Sequence, residues 1–308
     1  MPLTSGIKDE LAHLKPRKKC DRLAELSALV RMTGSLVLRR GGYDLTMATA
    51  SPAVARRILL LLKDQFAIDT ELITEPPSPR HKRPNHIINV HTQIRQGHVL
   101  RQLRVMDEDD VFTRGVPFEI LKKNCCRAAY LRGLFLAGGS LTGERHGYHM
   151  EIATANMTLA EDVLTLMEEA GFPVRLNERA KDFAVYLTDA ESAGDFLVAV
   201  GAHKGRLTLE SRRVLRGVRS DVNRRVNAET ANLRKSAGAA VSQLRDIKEI
   251  DKKIGLNRLP SALRETAEVR LKNPSLGTAE LGQSHNPPIT KSAVNHRLRR
   301  LRDMAASI

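Results

Sequence analysis

The chain repeats itself at an offset of 105 residues. Laid on that offset, Lys18–Leu61 covers Lys123–Leu166 without a gap. About two-fifths of those positions are identical, where ordinary residue frequencies give roughly 3 matches in a stretch of this length. The best-matched pieces are Gly34-Ser35-Leu36 on Gly139-Ser140-Leu141, Gly42-Tyr43 on Gly147-Tyr148, and Ala48-Thr49-Ala50 on Ala153-Thr154-Ala155. Cys20 falls on Cys125. The period is too long for a solenoid turn. It implies one domain made of two similar halves about a pseudo-twofold axis.

Each half reads as α-β-β-α-β-β. Cys20–Met32 carries Leu23, Leu26, Leu29 and Val30 at helical spacing, and Ala129–Ala137 follows suit. Glycine ends each helix, at Gly34 and at Gly138-Gly139. Two strands follow, joined at Gly41-Gly42 and at Gly147, where a hairpin needs positive φ. Tyr43–Thr49 and Tyr148–Thr154 alternate as strands do. Amphipathic helices fit Ser51–Gln65 and Asn156–Ala170, with Ser51 and Asn156 as N-caps. Two further strands close each half: Ile68–Thr74 and Ile87–Thr92 around the loop Pro76–Pro84, then Val174–Glu178 and Phe183–Leu187. Gly97–Phe118, with its acidic turn Asp107–Asp110 and Pro117, bridges the halves.

Charge divides the chain differently. Residues 1–202 hold 27 Lys+Arg against 25 Asp+Glu, and residues 203–308 hold 23 against 10, so +13 of the net +15 lies in the last third. A basic region of that kind points to a polyanionic partner. The longest aliphatic run, Ile58–Leu62, is far too short to cross a membrane. The first residues lack a signal peptide's apolar stretch. Three cysteines, an odd number, give no disulfide framework and point to the reducing cytosol.

In the basic region, Leu209–Leu233 can run as a helix. Arg212, Arg213, Arg216 and Arg219 group on about half its surface, placed for phosphate contact, and Asn223 and Asn227 share a face. Beyond Gly255 the pattern changes. Pro260 suits the first turn of a helix running to Lys272 and ended by Asn273-Pro274. Thr278–Ser284 fits a short helix with Thr278 as N-cap. Asn286-Pro287-Pro288-Ile289 is the turn, and a last helix runs from Thr290 to Ala305. Val294, Leu298 and Leu301 form its buried stripe; Lys291, Ser292, Asn295, His296, Arg297, Arg299 and Arg300 lie outward. That is the order of a helix-turn-helix, whose second helix enters the major groove. Arg suits guanine and Asn suits adenine, so Asn295 and Arg297 are the foremost base-reading candidates. The domains are therefore 1–202 (halves 1–95 and 118–202), a basic helical linker 203–235, and a DNA-binding domain 236–308.

Leu131-Arg132-Gly133-Leu134-Phe135-Leu136-Ala137-Gly138-Gly139 resembles the LAGLIDADG motif of homing endonucleases, with a weaker copy at Leu26–Gly34. The resemblance implies two such helices side by side, with Ala28 and Gly133 at one shared small position. The nucleases of that family place a metal-binding carboxylate at the eighth motif position, where ions activate water. Here the eighth positions are Thr33 and Gly138, and the sixth are Arg31 and Leu136. Glu144 and Asp44 do not occupy matching positions. No catalytic residue, metal or cofactor is therefore expected. A metal site at Cys125-Cys126 with Cys20 also reads poorly, because adjacent helical side chains diverge by about 100°.

Taken whole, the chain resembles the WhiA family of bacterial sporulation and cell-division regulators. The resemblance rests on Cys125–Gly133, Val222–Leu233 and Pro287–Leu298. It implies an α+β fold, in which a non-cleaving LAGLIDADG domain precedes a helix-turn-helix like a promoter-reading sigma-factor domain. It further implies transcription control in sporulation, division or chromosome segregation from a cytoplasmic, nucleoid-associated position. Double-stranded DNA is the implied partner, with RNA polymerase and a WhiB-type iron–sulfur regulator beside it, and no membrane or small-molecule substrate. The competing readings are an active homing endonuclease or maturase, against which Thr33 and Gly138 stand, and a nucleoid protein without sequence preference.

Overall fold

A computed structural model describes residues 3–15, 18–39, 42–68, 70–77, 84–90, 97–143 and 147–308. The chain forms two compact units, Met1–Arg216 and Gly217–Ile308. The fold is α+β, as expected.

The first unit opens with helix α1 (Leu3–Ala12). The first half then runs α2 (Lys19–Thr33), β1 (Gly34–Arg39), β2 (Gly42–Thr49), α3 (Pro52–Phe66), β3 (Glu71–Glu75), β4 (Asn85–Val90). After α4 (His98–Gln102) the second half runs α5 (Asn124–Gly138), β5 (Gly139–Thr142), β6 (His149–Thr154), α6 (Met157–Glu169), β7 (Arg175–Glu178), β8 (Phe183–Leu187), and α7 (Ala190–Val200) closes it. The two antiparallel sheets have the same order, β1-β2-β4-β3 and β5-β6-β8-β7. Their register also repeats: Gly34 pairs with Met47, and Gly139 with Ile152, each 105 residues on. The N-caps hold. Ser51 Oγ accepts from Val54 N at 3.4 Å and Asn156 Oδ1 from Leu159 N at 3.0 Å. Strand Phe183–Leu187 falls where the sequence places it.

Some expectations shift. β3 starts three residues later than Ile68, because α3 ends in the left-handed Ala67 and the buried Ile68 first turns the chain back. Most of the loop Pro76–Pro84, Gly41, Thr92 and Glu144 lie outside the described residues. Gly147 has φ +102°, as the hairpin needs. Gly34 and Gly139 follow their helices in extended backbone, with φ −82° and −76°. α1, α4 and α7 were not legible as helices.

The core of this unit is the seam between α2 and α5. The two run parallel, since Cys126 lies near Asp21 and the site of Gly133 abuts Ala28. Gly133 is required by that approach: a Cβ there would stand 2.5 Å from Glu25 O and 2.8 Å from Ala28 Cβ. Leu26, Leu29, Leu134 and Phe135 are buried around the seam, and Leu45, Met47, Met150 and Ile152 cover it from the sheets. Burying side chains of this size contributes about 1.5–3 kcal/mol each.

Helix α8 (His203–Lys253) runs unbroken through residues 235 and 236. Glu10 caps its start, accepting from Lys204 N at 2.8 Å and Gly205 N at 2.7 Å. The second unit continues with α9 (Ser261–Lys272), α10 (Thr278–Gln283) and α11 (Lys291–Ala306). Ile247, Ile250, Leu259, Leu263, Ala267, Leu281, Val294, Leu298 and Leu301 form its own core. Two caps move by one residue. Pro260 and Gly277 precede the helices rather than Thr278 capping one, and Glu280 Oε2 accepts from Gly277 N at 2.9 Å.

Candidate nucleic-acid interface

The helices α9, α10 and α11 hold one another through short-range constraints. Gly282 lets the turn close, because any Cβ there would collide with Ile289 O. Ile289 N donates to Gly282 O at 2.9 Å. Thr290 Oγ1 caps α11, accepting from Ala293 N at 3.2 Å. Arg270 is buried and knots the bundle together: Nε and Nη2 donate to Gln243 Oε1 at 2.9 and 2.6 Å, and Nη1 to Leu276 O at 2.7 Å. An Arg so placed leaves several polar groups unmatched if it is removed.

Val294, Leu298 and Leu301 are buried as the stripe of α11 required. Lys291, Ser292, Asn295, His296, Arg299 and Arg300 are exposed. Arg297 departs from the expected outward face. Its Nη1 lies 3.3 Å from Ala262 O, Glu265 Oε2 and Thr266 Oγ1, all on α9. The cause is helical phase: at about 100° per residue, position 297 lies some 60° from Val294 and 40° from Leu301. Thr266 Oγ1 also meets His285 Nε2 at 3.0 Å, while His285 Nδ1 lies 2.8 Å from Leu281 O. Thus Arg297 joins a buried polar network that fixes α11 against α9 and α10. Neither His285 nor Thr266 stood out in the sequence, since their pairing spans 19 residues.

In the first unit, Arg213 and Arg216 are exposed on α8. Arg213 lies 3.8 Å from Glu210, and Arg212 is half-buried beside α1. Arg219, Asn223 and Asn227, in the second unit, are exposed too.

The ends of α2 and α5 carry Thr33 and Gly138, the eighth motif positions. Thr33 Oγ1 donates back to Leu29 O at 2.8 Å. A Cβ at Gly138 would collide with Ala153 O and Met32 Cε, so no side chain fits there. Asp44 is buried in β2 opposite Val37. Among the described residues no cluster of metal-ligating groups lies at these ends.

With this arrangement, comparison with known proteins is decisive. The chain matches the WhiA N-terminal LAGLIDADG-like domain over residues 19–106, the WhiA LAGLIDADG-like domain over 127–219, and the WhiA C-terminal HTH domain over 222–305. It is 42% identical over 306 residues to a probable cell division protein WhiA of Heliobacterium modesticaldum, covering 99% of this chain and 96% of the relative. The chain belongs to the WhiA family. A relative from Desulforamulus reducens with the same description is 39% identical over 310 residues, covering 100% of this chain and 96% of its own length. The full-length DUF199/WhiA crystal structure from Thermatoga maritima matches with a TM-score of 0.56 and 27% identity, across 100% of this chain and 99% of that one. For a WhiA-family chain the two LAGLIDADG-like halves and the helix-turn-helix are thus family features.

Proposed function

We propose that this WhiA-family chain is a sequence-specific, double-stranded-DNA-binding transcription regulator without nuclease activity. The observation that carries the reading is α11: six polar or cationic side chains exposed above a buried stripe, on a helix pinned by neighbours on both sides. Asn295 is the foremost base reader, with Lys291 and Ser292 next and His296, Arg299 and Arg300 flanking. Arg297 positions the helix. Arg212, Arg213 and Arg216 hold phosphate, within a linker of residues 203–235, and residues 236–308 do the reading. The colliding side-chain position at Gly138 supports the absence of cleavage. The relatives' description supports a role in cell division. Control of sporulation or chromosome segregation, a nucleoid position in the cytoplasm, and action beside RNA polymerase or a WhiB-type iron–sulfur regulator extend the same reading.

The test is a pair of titrations of the full chain, on duplexes selected from genome-wide binding and on scrambled ones, at several salt concentrations. Asn295→Ala is expected to cost about 1–3 kcal/mol on the selected duplex and little on the scrambled one. Arg216→Ala weakens both alike and lowers the salt slope by about one. Equal losses for Asn295→Ala on both duplexes turn the reading toward a nucleoid protein. Metal-dependent cleavage lost on mutating the first unit overturns it.

A further inference from the structure

The chain has three cysteines, and the fold brings all of them to one point. The Sγ atoms of Cys20, Cys125 and Cys126 and a carboxylate oxygen of Asp21 lie within 4.8 Å of one another. Cys20 and Asp21 sit in the first turn of α2, Cys125 and Cys126 in the first turn of α5. The offset of 105 that relates the halves carries Cys20 onto Cys125 and Asp21 onto Cys126. Each helix therefore presents two donors from the same two successive positions, and the pseudo-dyad sets the pairs against each other. The expectation that adjacent cysteines diverge too far to share an ion holds for a single helix. Where two helices start side by side, each divergent pair spans one edge of a tetrahedron and the other pair spans the opposite edge.

The size fits a single ion. Zinc–thiolate bonds of about 2.3 Å give tetrahedral edges of about 3.8 Å. Cys20 Sγ lies 3.5 Å and Cys126 Sγ 3.9 Å from Asp21 Oδ1. Cys126 is buried and the other three are half-buried, so the donors are shielded yet reachable. Both helix N-termini direct their positive ends here, which favours thiolate. Exposed Lys18, whose Nζ is 3.9 Å from Cys125 Sγ, adds to that.

We propose that Cys20, Asp21, Cys125 and Cys126 bind one divalent cation of the zinc class, fastening the first turns of the two motif helices together. Binding releases the thiol protons to solvent. The site stands at the opposite end of the helix pair from Thr33 and Gly138, so it is unrelated to the positions nucleases use. The experiment takes full-length protein, reduced and stripped with chelator, and titrates it with cobalt(II) as a spectroscopic stand-in for zinc. The expected result is one cobalt per chain, with near-ultraviolet thiolate charge-transfer bands and visible bands of tetrahedral strength, all displaced by zinc. Cys20→Ser and Cys125→Ser, both at half-buried positions, lower the affinity by about 100-fold or more and shrink the charge-transfer bands. Far-ultraviolet circular dichroism checks that each variant is folded. The proposal is overturned if the wild-type protein shows no charge-transfer bands, or if folded Cys20→Ser keeps the wild-type spectrum and affinity. Reduced protein that takes up no metal but forms a Cys20–Cys125 disulfide on oxidation overturns it equally.

Discussion

At positions 25 and 31 the first motif helix carries charged side chains; at the equivalent positions 130 and 136 the second carries an aromatic ring and an aliphatic chain. Glu25 of α2 is fully buried and accepts from Arg57 of α3 at 2.6 and 2.8 Å and from Arg132 of α5 at 2.9 Å. The residues 105 further on are Tyr130 and Asp162. Tyr130 is just as buried, and its hydroxyl has no hydrogen-bond partner among the described residues. Arg31, at the sixth motif position, donates to Gly115 O at 2.8 Å, to Leu103 O at 3.1 Å and to Arg104 O. Its counterpart Leu136 is buried, and on that helix Phe135 meets Phe196 of α7 at 5.7 Å. Each helix is thus matched to the segment that follows its own half. After the first half comes a bridge whose carbonyls at Leu103, Arg104 and Gly115 accept from that guanidinium. After the second comes an apolar helix. Duplication fixed the backbone register, and the side chains diverged where the two halves acquired different neighbours.

Four substitutions test how deep that division goes. Gly133→Val attacks what both halves share, and is expected to cost more than about 4 kcal/mol, a large part of a domain's whole stability. Urea unfolding or loss of soluble protein reads it; a cost below about 1 kcal/mol would mean that the seam gives way easily. The next pair separates the halves. Glu25→Ala leaves two guanidinium groups without their shared anion and costs about 3–5 kcal/mol. Tyr130→Phe, at the equivalent position, removes an unmatched hydroxyl and changes stability by less than about 1 kcal/mol. Equal losses at the two positions would erase the contrast between charge and packing. The most local test is Arg31→Leu, which copies the second half into the first. It costs about 1–3 kcal/mol, and amide exchange should accelerate in residues 97–118 while α7 keeps its protection. Acceleration in both places would show that the two helices are fastened as one.

Local chemistry was legible and distant pairing was not. Ser51 and Asn156 announced their helices because a capping hydroxyl or amide acts across three residues. Tyr148–Thr154 announced its strand through alternation, and the strand His149–Thr154 forms there. The duplication itself was visible because both copies kept register across 44 positions. α7 escaped notice because Gly194 and the β-branched Val198 and Val200 weaken its helical signal. Its start is set by Asp189, which accepts from Ser192 N at 2.7 Å. Arg297 turns inward although basic residues favour water, because its helical phase puts it beside Leu301 and against α9. Adjacent cysteines diverge within one helix, so Cys125 and Cys126 read poorly as a site on their own. The offset of 105 aligns Cys20 with Cys125, but the cluster becomes visible only once the two helix starts are laid side by side.

The crowding at Gly138 sets a direction on change. At position 33 a side chain already stands, half-buried, and a carboxylate is one substitution away. At position 138 even alanine would strike Ala153 O in β6 and the Met32 methyl from the opposite half. Placing an acid there requires β6 to retreat as well as the Met32 methyl to move aside, and the backbone carbonyl is the costly part. A single substitution can therefore bring an acid into one half of this symmetric pair more readily than into the other.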